Sequence, residues 1–120
     1  MVSNNTYQFI NLDYLELMSD GDDSMKKVLL EMLIEELPEE ITKMRGLQQA
    51  SRWEDLSSVA HKMKSTLSYV GNDTMTAANK TIELNAKQNT GLGEVPTLMD
   101  TLEINLDRVM TELKIELTRL

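Results

Sequence analysis

Between Met99 and Leu120 the apolar residues Met99, Leu102, Leu106, Val109, Leu113, Leu117 and Leu120 recur every three or four positions. That spacing draws one apolar stripe along an α-helix from about Glu94 to Arg119, and it cannot serve a strand, whose faces alternate with period two. The same spacing appears three more times. Met25, Leu29, Leu33, Leu37, Ile41 and Met44 predict a helix from Asp23 to Ala50. Trp53, Leu56, Ala60, Met63, Leu67 and Val70 predict one from Trp53 to Val70, and Met75, Ala78, Ile82 and Ala86 a shorter one ending near Gln88. No segment alternates with period two and no internal repeat is visible. Helices with one apolar stripe each must bury those stripes against one another, so the chain is expected to be all-α: an antiparallel four-helix bundle with a short additional N-terminal helix, about Leu12 to Met18.

The punctuation between stripes agrees. Ser19-Asp20-Gly21-Asp22 reads as a turn that also caps the second helix, and Pro38 is expected to kink that helix because it cannot donate to the carbonyl of Ile34. Ser51 is the expected cap of the third helix, Gly71 its left-handed terminator, and Asn72 or Asp73 the start of the fourth. Asn89 to Gly93 forms a turn before the last helix. A tail over residues 1–10 and a single bundle domain over 11–120 account for the whole chain, since 120 residues with 41% hydrophobic content bury one modest core.

Several function classes fall away on composition. A formal net charge of −8 opposes nucleic acid, whose phosphates demand a basic surface. Gly91-Leu92-Gly93 lacks the third glycine and the strand of a nucleotide-binding loop, so no ATP site and no other cofactor is expected. Asp20, Asp22, Ser24 and Glu31 fall on a calcium-loop template, but Met25 stands where the sharp turn needs Gly. A di-metal bundle site needs Glu-x-x-His from two helices, whereas this chain has one histidine with Ser58 in place of the Glu. There is no cysteine, Met1 to Gln8 has neither the basic nor the apolar part of a signal peptide, and no apolar run is long enough to span a bilayer. A monomeric cytoplasmic protein without membrane association is the expectation. The sequons at Asn4, Asn72 and Asn79 are then chance matches.

What remains is the single histidine. At about 100° per residue, His61 lies well over 90° from the centre of the stripe on its helix, beside Ser57, Ser58, Lys64, Ser65 and Ser68. A water-facing imidazole is a nucleophile near neutral pH. Lys64, at i+3, is within reach to neutralise a phosphoryl group carried there, and Ser65, at i+4, is small enough to let another protein approach.

Ala60-His61-Lys62-Met63-Lys64-Ser65-Thr66, with Gly71 ten residues past the His, resembles the signature of the histidine-containing phosphotransfer (HPt) family, written Ala-His-x-Leu-Lys-Gly-Ser with a following Gly. Ala60, His61, Lys64 and Gly71 fit, Met63 replaces Leu conservatively, and Ser65 and Thr66 depart from Gly and Ser. The resemblance implies a phosphorelay intermediate that carries a phosphoryl group on His61 and exchanges it with an aspartate of a response-regulator receiver domain, the receiver supplying Mg²⁺ and the catalytic pocket. It also implies Lys64 as the phosphate-stabilising residue. Glu83 becomes the candidate for the acidic or amide side chain that family members present to the imidazole from the next helix. Ser57, Ser58, Ser65 and Ser68 would form the docking surface for the receiver, for a hybrid histidine kinase, or for both, and the chain would be a phosphocarrier without enzymatic machinery. A helical module that docks a receiver or kinase and regulates it without carrying phosphate is the alternative, and a structural adaptor a third; acid-labile phosphate on His61 separates them.

Overall fold

The computed structural model describes residues 7–120. Among them there is no strand. Five helices follow one another: α1 (Asp13–Ser19), α2 (Asp23–Gln49), α3 (Trp53–Val70), α4 (Asp73–Gln88) and α5 (Val95–Thr118), with a 3₁₀ turn, Leu92–Glu94, leading into the last. The fold is all-α. α2 packs on α3 and α5, α4 packs on the same two helices, and α1 closes one end against α2 and α3. No helix among the described residues is long and apolar enough to cross a membrane.

The expected stripes supply most of the core. Leu33, Leu37, Ile41 and Met44 of α2, Leu56, Ala60, Met63, Leu67 and Val70 of α3, Met75, Ala78, Ile82 and Ala86 of α4, and Met99, Leu102, Val109 and Leu113 of α5 are all buried. Asp22 caps α2, its carboxylate accepting from the N–H groups of Ser24 and Met25, and Asn72 caps α4 by accepting from Met75 N–H. α2 continues through Pro38 as one helix from Asp23 to Gln49.

Three local expectations need correction. Ser51 does not cap α3. It takes a left-handed conformation (φ 55°) and helps to terminate α2, donating its N–H to Gln48 O, while Arg52 N–H bonds to Leu47 O and no side chain caps α3. A residue spent on closing the preceding helix cannot also adopt the extended backbone of an N-cap. Met25 is exposed, and its neighbour Lys26 is buried instead. The true inward row of α2 is Lys26, Leu30, Leu33, Leu37, Ile41 and Met44, and the pattern hid its first member because that member is charged. Leu120 lies past the end of α5 and is exposed.

Lys26 is tolerated inside because its charge is matched. Its ammonium pairs with Glu16 of α1 and, at 2.7 Å, with Glu116 of α5, whose other oxygen accepts from the Tyr7 hydroxyl at 2.7 Å. Burial pushes the Glu116 carboxyl up, but the hydrogen bonds from Lys26 and Tyr7 outweigh it and hold Glu116 below the usual carboxylate range. Burial and the bond to Glu116 raise the Tyr7 phenol to about 12.

Residues 7–10, assigned above to the tail, lie along α5. Glu112 accepts from the N–H groups of Gln8, Phe9 and Ile10, Arg108 sits over the Phe9 ring, and Ile10 joins the core. The six preceding residues of that tail, and the sequon at Asn4, fall outside the described residues.

Replacing Lys26 with Ala strands two carboxylates, one of them buried, and should cost about 3 kcal/mol in urea unfolding. The double change Lys26→Met with Glu116→Leu, which removes the buried pair together and leaves only the more exposed Glu16, should recover most of that loss.

Candidate functional site

α3 and α4 form an antiparallel hairpin whose turn is set by Gly71. Gly71 sits at φ 68°, a conformation that costs other residues strain, and a Cβ there would collide with the backbone of Asn11. Asn11 N–H donates to Val70 O at 2.9 Å, so the chain crosses directly over this turn. The short turn leaves α4 alongside α3, and side chains from the two helices meet in register.

That register brings His61 and Glu83 together. The imidazole Nδ1 lies 2.7 Å from Glu83 Oε2, and the Lys64 ammonium lies 3.2 Å from Glu83 Oε1. One carboxylate therefore bridges the ring and the lysine. The imidazole is 68% exposed and Lys64 51%, whereas Glu83 is only 15% exposed. Burial raises the Glu83 carboxyl, but the hydrogen bonds from His61 and Lys64 and the charge of Lys64 outweigh burial, so Glu83 lies below its ordinary value. An ionised carboxylate at Nδ1 accepts a hydrogen bond and cannot donate one, so Nδ1 is the donor, and in the neutral ring the lone pair lies on Nε2. Among the described residues Nε2 has no hydrogen-bond partner.

The serines divide between two surroundings. Ser57 is half-buried and donates to Glu83 O at 3.3 Å, tying the backbone of α4 to α3 one turn before the histidine. Ser57 and Ser58 line an open cleft of about 610 Å³ with His61, Glu83, Lys62 and Lys87. Ser65 and Ser68 are exposed on α3 beyond that cleft, with the Ser68 hydroxyl bonded to Lys64 O at 2.9 Å.

Asn79 escaped the sequence reading. It is 1% exposed, one turn before Glu83 on α4, and its amide donates to Ala60 O at 2.9 Å, the carbonyl immediately before His61. Its Oδ1 has no partner among the described residues. A buried amide in an apolar stripe is costly unless it is bonded, so its one strong bond fixes the offset between α3 and α4 beneath the His61–Glu83 pair. The signal available in sequence was an asparagine beside Ala78 in the α4 stripe.

Among the described residues no cluster of His, Asp and Glu has metal-binding geometry. The arrangement suits a different chemistry: an oriented, exposed ring nitrogen with the Lys64 ammonium close by on the same carboxylate.

Because its carboxyl is depressed, Glu83 stabilises the fold above the ordinary carboxylate range, and that contribution is lost as pH falls through its own lower value. Glu83→Gln should cost about 1 kcal/mol at neutral pH, discounted for the exposure of both partners. In melting curves recorded from pH 7 downward, variant and wild type should converge in acid.

The chain matches the Hpt domain family over residues 28–119, which run from the second turn of α2 to the end of α5 and include all of the site just described. No curated protein sequence matches it. Among solved structures it is similar to histidine-containing phosphotransfer protein B (HptB) from Pseudomonas aeruginosa PAO1, with a TM-score of 0.83 and 22% identity over 92% of this chain and 96% of that one. At that identity the likeness speaks for the fold, and it shows that both chains build the same helical arrangement. With the family match extending over most of its length, the chain belongs to the Hpt domain family.

Proposed function

We propose that this protein is a phosphocarrier of two-component signalling that accepts a phosphoryl group on His61 Nε2 from an aspartyl phosphate of a receiver domain and can return it. Family membership supports a phosphotransfer function in two-component signalling. The observation that carries the finer reading is the 2.7 Å contact between His61 Nδ1 and Glu83, which holds the ring in the tautomer whose outward nitrogen is the nucleophile.

In the transfer, the Nε2 lone pair forms the new P–N bond as the P–O bond to the donor aspartate breaks, and the aspartate leaves as a carboxylate. No proton has to be removed from the ring. The positive charge that develops on the imidazole is offset by Glu83 at Nδ1, and the phosphoryl oxygens gain the Lys64 ammonium, which is free to turn from Glu83 towards them. The serines of α3, Ser57, Ser58, Ser65 and Ser68, keep their own positions around the ring low, so that a partner can approach closely between the flanking Lys62 and Lys64. Mg²⁺ and the catalytic pocket belong to the receiver, and this chain contributes the positioned nucleophile.

Incubation with receiver domains charged by acetyl phosphate should place acid-labile phosphate on the wild type and none on His61→Gln, with helicity unchanged by circular dichroism. Equal labelling of His61→Gln overturns the reading. Unlabelled wild type that still alters receiver dephosphorylation would favour the regulatory docking module instead. Lys64→Ala should slow transfer roughly 10-fold, corresponding to about 1.4 kcal/mol of lost charge-assisted bonding, without abolishing it.

A further inference from the structure

Half of the chain's eight lysines surround His61: Lys62 and Lys64 on α3, Lys80 and Lys87 on α4. That concentration runs against a chain with 20 acidic and 12 basic residues and a net charge of −8. Lys64 shares Glu83 with the ring, but among the described residues Lys62, Lys80 and Lys87 form no ion pair; Lys27, Lys43 and Lys114 are also unpaired but lie apart on α2 and α5, whereas these three cluster at the site. Their charge is not spent on the fold.

On α4 the lysines frame an apolar side chain. Leu84 is 49% exposed, with Lys80 one turn before it and Lys87 one turn after, on the solvent side of a helix whose inward stripe is Met75, Ala78, Ile82 and Ala86. Leu84, Lys80, Lys87, Lys64 and Glu83 together line a shallow hollow of about 180 Å³. Glu83 and Lys87 also line the cleft that holds His61, so hollow and cleft form one continuous surface. An isolated exposed leucine calls for no explanation. A leucine ringed by unpaired lysines and adjoining a solvent-facing nucleophile has the layout of an interface, with an apolar centre and a charged rim.

From this surface we infer that the receiver docks across α4 as well as α3, seating an apolar residue against Leu84 within an acidic rim that meets Lys80 and Lys87. The inference rests on the phosphocarrier reading and identifies the partner's chemistry. The donor must bring a phosphorylated carboxylate to His61 and leave a free carboxylate behind, so its approaching face is negative. The net charge of −8 repels such a face overall while this lysine patch attracts it, and that contrast both orients the encounter and accelerates it. Duplex nucleic acid would also be drawn to lysines, but the hollow has room for one side chain and the rest of the surface opposes a polyanion.

The test measures phosphotransfer from acetyl-phosphate-charged receiver domains across a range of salt concentrations. Lys80→Glu/Lys87→Glu is compared with Lys43→Glu/Lys114→Glu, which changes net charge equally on other helices. The α4 pair should lower the second-order rate at least 10-fold at low salt and flatten its salt dependence, and Leu84→Asp should raise KM at least 5-fold. The control pair should transfer within 2-fold of wild type. Melting temperatures within a few degrees confirm that every variant folds. If wild type transfers and the α4 variants match it, or if both lysine pairs lose rate equally, the α4 docking surface is wrong while the phosphocarrier reading stands. If no receiver labels wild type, both fall together. Lysine-dependent binding of a fluorescent duplex oligonucleotide, with receiver transfer unaffected, would reassign the patch and overturn the proposal.

Discussion

The antiparallel pairing of α3 and α4 is the arrangement on which the site depends, and it is held at two points. At the turn, Gly71 takes a backbone conformation that disfavours a side chain, in a space where Asn11 leaves no room for one. Eight residues further along α4, Asn79 binds the carbonyl that precedes His61. Two fixed points determine both the distance and the offset of one helix on the other. With the offset set, Glu83 falls opposite the ring, and Ser57 meets the backbone of that same residue. The burial of Leu56, Ala60, Met63 and Leu67 against Met75, Ala78, Ile82 and Ala86 supplies the adhesion, but apolar contact alone is tolerant of sliding. The directional bonds remove that freedom.

Much of this was legible in the sequence because helical stripes report on burial directly. The four long helices lie within a residue or two of their expected limits, and Asp22, Gly71 and Asn72 perform the terminating roles their chemistry suggests. His61 was found by its misfit, a titratable ring turned away from its own helix's stripe. Glu83 came from the family resemblance, and its contact with the ring depends on the packing of two helices that periodicity treats separately.

The features that stayed hidden share one cause: polar groups doing the work of burial. Lys26 occupies the first inward position of α2 because Glu16 and Glu116 converge on it from two other helices, and no local pattern foretells such convergence. Asn79 sits among apolar neighbours for the sake of one bond to another helix. Residues 7–10 lack any stripe, yet the Glu112 carboxylate gathers three of their backbone N–H groups, giving an extended segment the hydrogen bonding it could not supply itself. Ser51 was misjudged for a different reason, since two helices compete for the residues between them and the closing turn of α2 took it first.

The clasp around Glu112 and Glu116 also has a mechanical consequence. It ties the segment at 7–10 to the final turns of α5, so the beginning and end of the described chain leave from the same region of the bundle. Val70, the end of α3 crossed by Asn11, is about 13 Å along the helix from His61. Tension transmitted through either end is therefore borne first by the clasp, in which a buried ion pair, a phenol and three amide bonds act together. The α3–α4 hairpin meets that line only at its turn, where Asn11 N–H bonds to Val70 O and the Asn72 amide donates to Phe9 O, so a movement at the ends can reach the site through this one crossing.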